Sequence, residues 1–579
     1  MFNGKLVSGP FSTSVSPGLA ARSQARPSRP TPPWSARLVA LALVLPNVTW
    51  IVLSRALWSY DACEYGSAAI ELYNTLIRNP SMWLCTLFDT YTHKAPLIFW
   101  AGQVFVPLGR LLGSIPIGLD LMMALTQYVT LILAWRLFEE TFATRSLAFA
   151  GLLLVGTAPL FVGLSTKFLV EPLQLLLVIW FLVLMARAPR RDGLGTVLHV
   201  TAAASLAMLA KVTSPLYCAG PGLVALFYAF RQGPRTWRWD VRRHGLLTAA
   251  TLVLAVSTLV WYWRNLGHVV GFVQFSSSRP MWGRHDTFLN KFAYWSDALC
   301  NDSFMRFVPY LMLAALAVAS GLHLIRRPRP RAADTLALVS CLQILVALTV
   351  MSAQVNDTTR YLLPTLPYLA ALLVWSLARI DRAWLTAAVV AVCLVQVAGA
   401  EAVTFNLPRP RAMFRDASLY ELHLWSLDRD VSQADLAKRI VRLTCGTSPV
   451  KQVVACGQGP PGAALLRFYY LAESAPARTG CEIIWARTLA TGGTDEAAAA
   501  ANGWQNLLKS PPAYFVDAEP SSYKLPDLYT TDRQTMREYR ATWRILERVR
   551  HSSAFRRIEV PGHPEALLFE FVGSEARPQ

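Results

Sequence analysis

Charge is what this sequence has least of. Only 16% of its 579 residues are Asp, Glu, Lys or Arg, while 54% are hydrophobic. Soluble chains of this length carry about 25% charged residues and divide into several domains, so that class is excluded. Acids are the scarcer sign, 36 Asp and Glu against 55 Lys and Arg, for a formal net charge of +19. Histidine and cysteine number nine each, and their spacings form no zinc motif or other metal constellation. No cofactor is expected, although a divalent metal stays open. No internal repeat stands out, which weighs against a transporter built from repeated halves.

What the chain has instead is long apolar runs. The mean hydropathy is +0.34, and the excess is gathered in segments long enough to cross a hydrocarbon core of about 30 Å as helices. Eleven spans are predicted, at 37–57, 117–137, 146–164, 169–186, 194–210, 215–230, 246–263, 305–325, 334–352, 361–377 and 383–400. The stretch 97–113, "LIFWAGQVFVPLGRLLG", is interrupted by Pro107 and reads as an interfacial helix lying on the membrane. Residues 1–36 are Ser-, Pro- and Arg-rich and read as a disordered basic tail. No cleavage site follows the first run, so the first helix is expected to be retained.

The positive charge reports orientation. Residues 401–579 hold 22 Lys and Arg against 20 Asp and Glu, leaving an excess of 17 in residues 1–400. Five short connections, "FEETFATR", "ARAPRRDG", "RQGPRTWRWDVRRH", "RRPRPRAA" and "ARIDRA", contain 15 Arg in 44 residues. The alternate turns "STKF", "KVTS" and "AQVNDTTR" carry one Lys or Arg apiece. The bias places the basic loops in the cytoplasm, the amino terminus with them, and the carboxyl-terminal region outside. A nucleic-acid partner would need those residues on a folded polar surface, and none is indicated. The expected location is the plasma (inner) membrane, with membrane lipids as surroundings.

Three pieces then face outward: loop 58–116, loop 264–304, and the region 401–579. The last alternates helix-like and strand-like segments ("ADLAKRIVRLTC", "KQVVACG", "GAALLRFYYLAE", "CEIIWA"), which predicts a small α/β domain. The expected fold class is therefore a polytopic α-helical membrane protein with a C-terminal extracytoplasmic α/β domain. Outside the membrane cysteines can oxidise, and a Cys63–Cys85 bridge is expected within the first outer loop. The hexapeptide "GQGPPG" at 457–462 fits a dinucleotide fingerprint only formally. Prolines fill its variable positions, and it reads as a strand-to-helix turn.

Ionisable residues beside membrane segments are functional candidates by default. They gather at the outer ends of the spans: Asp61 and Glu64 in "YDACEYG", His93 and Lys94 in "THKAPLIFW", and Lys167 and Glu171 in "STKFLVEPL". Lys211 in "AKVTSP", Arg264 in "WYWRN" and Arg360 in "TTRYLLP" complete the set. Such a mixture suits a phosphate-bearing substrate and an acceptor that must lose a proton. Alternatively, the cations snorkel to lipid phosphates and the acids pair with them.

The order of these motifs over residues 37–400 resembles the polyprenyl-phosphate-dependent glycosyltransferases of superfamily C (GT-C), nearest the branch of protein O-mannosyltransferases and lipid A aminoarabinose transferases. The resemblance implies a GT-C-like transmembrane catalytic domain over 37–400. It also implies an inverting transfer of sugar from a polyprenyl-phosphate donor to a lipid, glycan or protein hydroxyl. Asp61 matches the family's acid after the first span, with Glu64 replacing a neighbouring acid that is Ala62 here. Lys94-Ala95-Pro96 matches a Lys-Pro-Pro, implying that Lys94 binds the donor phosphate, and Glu171 matches an Asp before Pro. His93, Lys211, Arg264 and Arg360 complete the expected donor site. A lipid-linked sugar transporter (flippase) and a non-catalytic binding protein derived from the same fold are the rival expectations.

Overall fold

The apolar runs fold as helices, because a segment in lipid must satisfy its own backbone hydrogen bonds. The computed structural model describes residues 33–54, 60–142, 144–232, 237, 239–278, 286–305, 308–326, 332–405, 432–445, 451–455, 463–473, 481–485, 495–518, 533–564 and 566–573. Among these, nine helices are long and apolar enough to cross a membrane. They include α1 (Trp34–Leu53), α6 (Ile115–Thr141), α9 (Val170–Arg187), α10 (Gly193–Ala210) and α12 (Val241–Ser278). The series is completed by α14 (Val308–Arg326), α15 (Ala332–Ser352), α16 (Leu366–Ile380) and α17 (Ala383–Thr404).

Three expectations change. The predicted span 146–164 is broken into α7 (Arg145–Gly156) and α8 (Pro159–Leu164). Pro159 has no N–H to continue the ladder, and Gln396 Nε2 donates to the Thr157 carbonyl at 3.0 Å. The helix α11 (Ser214–Arg231) covers the predicted span 215–230 but holds Pro221 and is not among the nine. The disordered tail ends earlier than 36, since Trp34 already lies in α1, and residues 1–32 are outside the described residues.

The outer loops are themselves helical. Loop 58–116 forms α2 (Tyr60–Arg78), α3 (Pro80–Asp89), α4 (Leu97–Gly102) and α5 (Val106–Leu111). At six residues each, α4 and α5 are about 9 Å long and cannot cross. They lie against the bundle with Ile98, Phe99 and Val106 fully buried. The approach of α5 to α6 requires glycine, since a Cβ on Gly118 would stand 2.4 Å from the Gly109 nitrogen. Loop 264–304 is taken up by the end of α12 and by α13 (Phe288–Ser303).

Both ends of the bundle carry ion pairs. At one end Arg187 meets Glu140, His244 Nε2 lies 3.1 Å from Asp192, and Arg379 pairs with Asp334. The five Arg-rich connections belong to this end. The opposite end, about 24 Å away along α9 from Arg187 to Glu171, carries the site described below.

The carboxyl-terminal domain has helices α18 (Ser432–Cys445), α19 (Ala463–Glu473), α20 (Glu496–Lys509) and α21 (Arg533–His551) around one sheet. Its strands are β1 (Lys451–Ala455), β2 (Cys481–Trp485), β3 (Tyr514–Ala518), β4 (Phe555–Ile558) and β5 (Ala566–Phe571), in the order β2-β1-β3-β5-β4. β1 runs parallel to β2 and β3, and β5 is antiparallel to β3 and β4. Alternation along the strands splits the core. Val453, Ala455, Tyr514 and Val516 face α18 and α19, whereas Val454, Phe515 and Phe569 face α20 and α21. The α/β expectation for this region therefore holds, with the described part beginning at Ser432. The "GQGPPG" turn lies outside the described residues.

The expected Cys63–Cys85 bridge is not formed. Cys63 is buried on α2 and Cys85 is exposed on α3, both with free thiols. Oxidation instead joins Cys445 to Cys481, tying the end of α18 to the start of β2.

Candidate active site at one end of the helix bundle

Short-range features place each charged side chain. Asp61 lies in the first turn of α2 and Glu171 in the first turn of α9, where the helix dipole favours a carboxylate. Lys211 follows the last residue of α10, whose C-cap it forms. Arg360 sits in the 3₁₀ stretch Thr359–Thr365, which Pro364 and Pro367 keep from joining an α-helix earlier. Lys94 is presented by a turn whose Tyr91 has φ 57°. A bulky residue seldom occupies that left-handed region, and such strain concentrates at functional sites.

Tertiary packing joins six of these groups into one line of alternating charge. Glu64 Oε2 and Asp61 Oδ1 each lie 2.8 Å from Lys94 Nζ. Asp61 Oδ2 accepts from Arg360 Nη2 at 2.5 Å, and Arg360 Nε stands 3.4 Å from Glu171 Oε1. That same Glu171 oxygen accepts from Lys211 Nζ at 2.9 Å. The order is Glu64, Lys94, Asp61, Arg360, Glu171, Lys211: three acids and three bases with no net charge. Lys94 is 11% and Asp61 23% exposed at the side chain, so the charges are only partly hydrated. Removing one partner from such a line is costly.

Burial by itself would raise the Asp61 pKa, but the charges of Lys94 and Arg360 and their hydrogen bonds hold it well below the usual carboxylate range. Burial opposes the charge on Lys94 as well. Asp61, Tyr65 and Glu64 overcome it and push the ammonium pKa well above its ordinary value. At neutral pH both groups are charged. His93 is shifted down, first by burial and then by Lys94, so it is neutral there. Its ring rests between Tyr91 and Phe272, each 5.1 Å away between centroids.

Aromatic rings line the cations. Lys94 Nζ lies 5.0 Å from the Tyr65 ring centre and Lys211 Nζ lies 4.1 Å from that of Tyr361, favourable cation–π distances. Tyr217 on α11 fixes this corner by donating to the Tyr361 carbonyl at 2.7 Å. Sequence reading missed Tyr65, Tyr361, Tyr217 and Phe272. Two were adjacent to quoted motifs, as Tyr65 is four residues past Asp61 and Tyr361 follows Arg360, but tyrosine in a membrane chain is too common to mark. One predicted residue stands apart. Arg264 is about half exposed on α12 and pairs with Asp89 at 2.6 Å, outside the alternating line.

Within this geometry, the cations can meet an anionic group and Asp61 or Glu64 can accept a proton. Among the described residues no group of three or more His, Cys, Asp or Glu is placed to hold a metal ion.

Residues 93–263 match a family model described as dolichyl-phosphate-mannose-protein mannosyltransferase. The matched segment takes in His93, Lys94, Glu171, Lys211 and all but the last residue of the "WYWRN" motif with Arg264, but neither Asp61 nor Arg360. Among solved structures the chain is similar to ArnT from Cupriavidus metallidurans bound to undecaprenyl phosphate, with TM-score 0.54 at 17% identity, covering 94% of this chain and 99% of that one. The apo state of the same protein gives TM-score 0.53 at 18% identity with the same coverage. Comparison with curated protein sequences yields no match. The fold expected from the motif order, that of the superfamily C membrane glycosyltransferases, is the fold observed.

Proposed function

We propose that this protein is an inverting glycosyltransferase that moves a sugar from a polyprenyl-phosphate donor to a hydroxyl acceptor on the outer face of the membrane. The observation that carries the reading is the alternating line of charge, assembled from α2, the 91–94 turn, α9, the end of α10 and the 359–365 stretch. Five segments converge on one buried neutral cluster at a single end of the bundle. Snorkelling to lipid phosphates would instead spread the cations around the rim. The match to a mannosyltransferase family model and the similarity to a fold that holds undecaprenyl phosphate point the same way. The Arg-rich connections lie at the opposite end, which assigns the site to the outer face by the positive-inside rule.

In the reaction, the acceptor oxygen attacks the anomeric carbon as the bond from that carbon to the donor phosphate breaks. The polyprenyl phosphate leaves with an extra negative charge, and the acceptor proton passes to a base. Lys94 and Arg360 offset the charge developing on phosphate. Asp61 is the base, and its strong pairing in the resting site makes it a weak one. A donor phosphodiester brings one negative charge into a neutral cluster and competes for Lys94 and Arg360. Each contact it takes over releases Asp61 toward ordinary basicity. Donor binding thereby activates the base, and the enzyme does not deprotonate an acceptor before the donor is present.

The test uses purified protein in lipid nanodiscs with a panel of radiolabelled polyprenyl-phosphate sugars, comparing wild type with Asp61→Asn. Transfer by wild type, lost by at least a hundredfold in the variant while donor binding persists, is the expected outcome. Donor binding without turnover in either protein would favour a transporter or a binding protein.

A further inference from the structure

Two buried ionisable residues lie outside the alternating line. Asp120 on α6 is 7% exposed and Lys167, between α8 and α9, is 2% exposed. Charged groups buried at a membrane edge are retained where they serve a substrate path. Both line a cavity of about 510 Å³, within the range of about 300–1,000 Å³ typical of small-ligand sites. Two domains enclose it: α1, α2, α6 and the 166–168 segment on one side, and Asp435, Lys438 and Tyr469 of the carboxyl-terminal domain on the other.

Its position relative to the site follows from α2. Asp61, Glu64 and Tyr65 share the face toward Lys94. Ala62, one position round the helix, lines the cavity. Asp120 is close enough to Cys63 to raise its thiol pKa, after burial and Glu64. The cavity and the charge line therefore flank one helical turn.

We propose that this cavity receives the acceptor, and that the acceptor is an amphiphile with a hydroxyl-bearing head group, a glycolipid in chemical class; the proposal rests on the glycosyltransferase reading above. Charges of both signs, two carboxylates and two ammoniums, suit a polyol head better than a strongly anionic one. The Tyr469 ring, with Lys438 Nζ 5.3 Å from its centre, supplies an apolar face for a sugar ring. The lipid part follows from α1, whose last turn forms another wall. Its Val52 and Leu53 are 55% and 57% exposed, so the cavity borders the level at which the first span meets the membrane surface. Arg467 on α19, bonded to Glu71 of α2 at 2.5 Å, holds the roof to the same helix that carries Asp61.

The experiment measures binding without turnover. A photoreactive octyl glucoside is crosslinked to the full chain in nanodiscs of phosphatidylethanolamine and phosphatidylglycerol, and labelled peptides are mapped. Label is expected on the peptides containing Ile117 and Lys438 or Tyr469, displaced by octyl glucoside and not by octanol or undecaprenyl phosphate. Ile117→Trp, which fills the cavity from α6, should lower labelling at least tenfold, and Lys438→Ala severalfold. Both should bind undecaprenyl phosphate as wild type does, which shows that they are folded. Displacement by undecaprenyl phosphate would give the cavity to the donor. Displacement by a Ser/Thr peptide alone would give it to a protein acceptor, and labelling spread over lipid-facing helices and indifferent to Ile117→Trp would show no site. Each of these overturns the proposal. If no donor supports turnover, the glycosyltransferase reading fails, whereas labelling elsewhere in an active enzyme overturns only the cavity assignment.

Discussion

Replacing Arg360 by glutamine removes the cation that touches both Asp61 and Glu171 and so divides the line of charge into two halves. The halves keep internal partners, Lys94 for Asp61 and Lys211 for Glu171, so the fold should survive. The contact to Asp61 is a charge-assisted hydrogen bond at 2.5 Å, of a kind that contributes about 1.5–3 kcal/mol. The contact to Glu171 at 3.4 Å is longer and contributes less. The expected loss of stability is about 2 kcal/mol, read as a lower thermal midpoint. The loss in catalysis should be larger, because a cation placed beside developing phosphate charge supplies about 2.7–4 kcal/mol, or a factor of about 10² to 10³ in kcat. Single-turnover transfer from a polyprenyl-phosphate sugar separates this from donor affinity, measured independently with undecaprenyl phosphate. Arg360→Lys restores a charge but not the planar fork that meets two carboxylates, so about tenfold of the lost rate should return. If Arg360→Gln transfers sugar within about fivefold of wild type, the leaving phosphate does not rely on this cation and the assignment of the site is wrong.

Two further outcomes are expected. Asp61 is held low and Lys94 high, so their contribution to stability is present above about pH 4, is lost as pH falls further through the folded Asp61 pKa, and is lost again only as pH rises beyond about 10. Thermal midpoints should consequently vary little from pH 5 to 9, and an inflection near pH 6–7 traced to His93 would contradict its placement as a neutral ring. Reducing the Cys445–Cys481 bond, which spans 36 residues, should destabilise the carboxyl-terminal domain by up to about 4 kcal/mol on loop-closure grounds. Maleimide should label exposed Cys85 in the native protein and buried Cys63 only after unfolding. Equal labelling of the two would restore the case for a pairing within α2 and α3.

Much of this molecule could be read from one dimension. Span length and apolarity are local properties, and lipid leaves a helix as the way for such a run to satisfy its backbone, so most spans stand within a few residues of where hydropathy placed them. The Arg bias needed no contacts to be seen, and period-two patterning was enough for the α/β domain. The candidate acids and bases were visible too, because charge in a charge-poor chain is conspicuous. Other features came only with the fold. The break at Pro159 lies inside a continuous apolar run, and a carbonyl freed there is acceptable only because Gln396, 239 residues away, reaches Thr157. Cys63 and Cys85 are near in sequence yet on different helices, whereas Cys445 and Cys481 meet because α18 and β2 pack together. Asp61 and Arg360 are separated by 299 residues, and nothing local distinguishes Arg360 from the solvent-facing Arg264. Residue types and membrane depth were settled by the sequence alone. Tertiary packing decided which charges pair, because opposite charges taken out of water together must find one another wherever along the chain they lie.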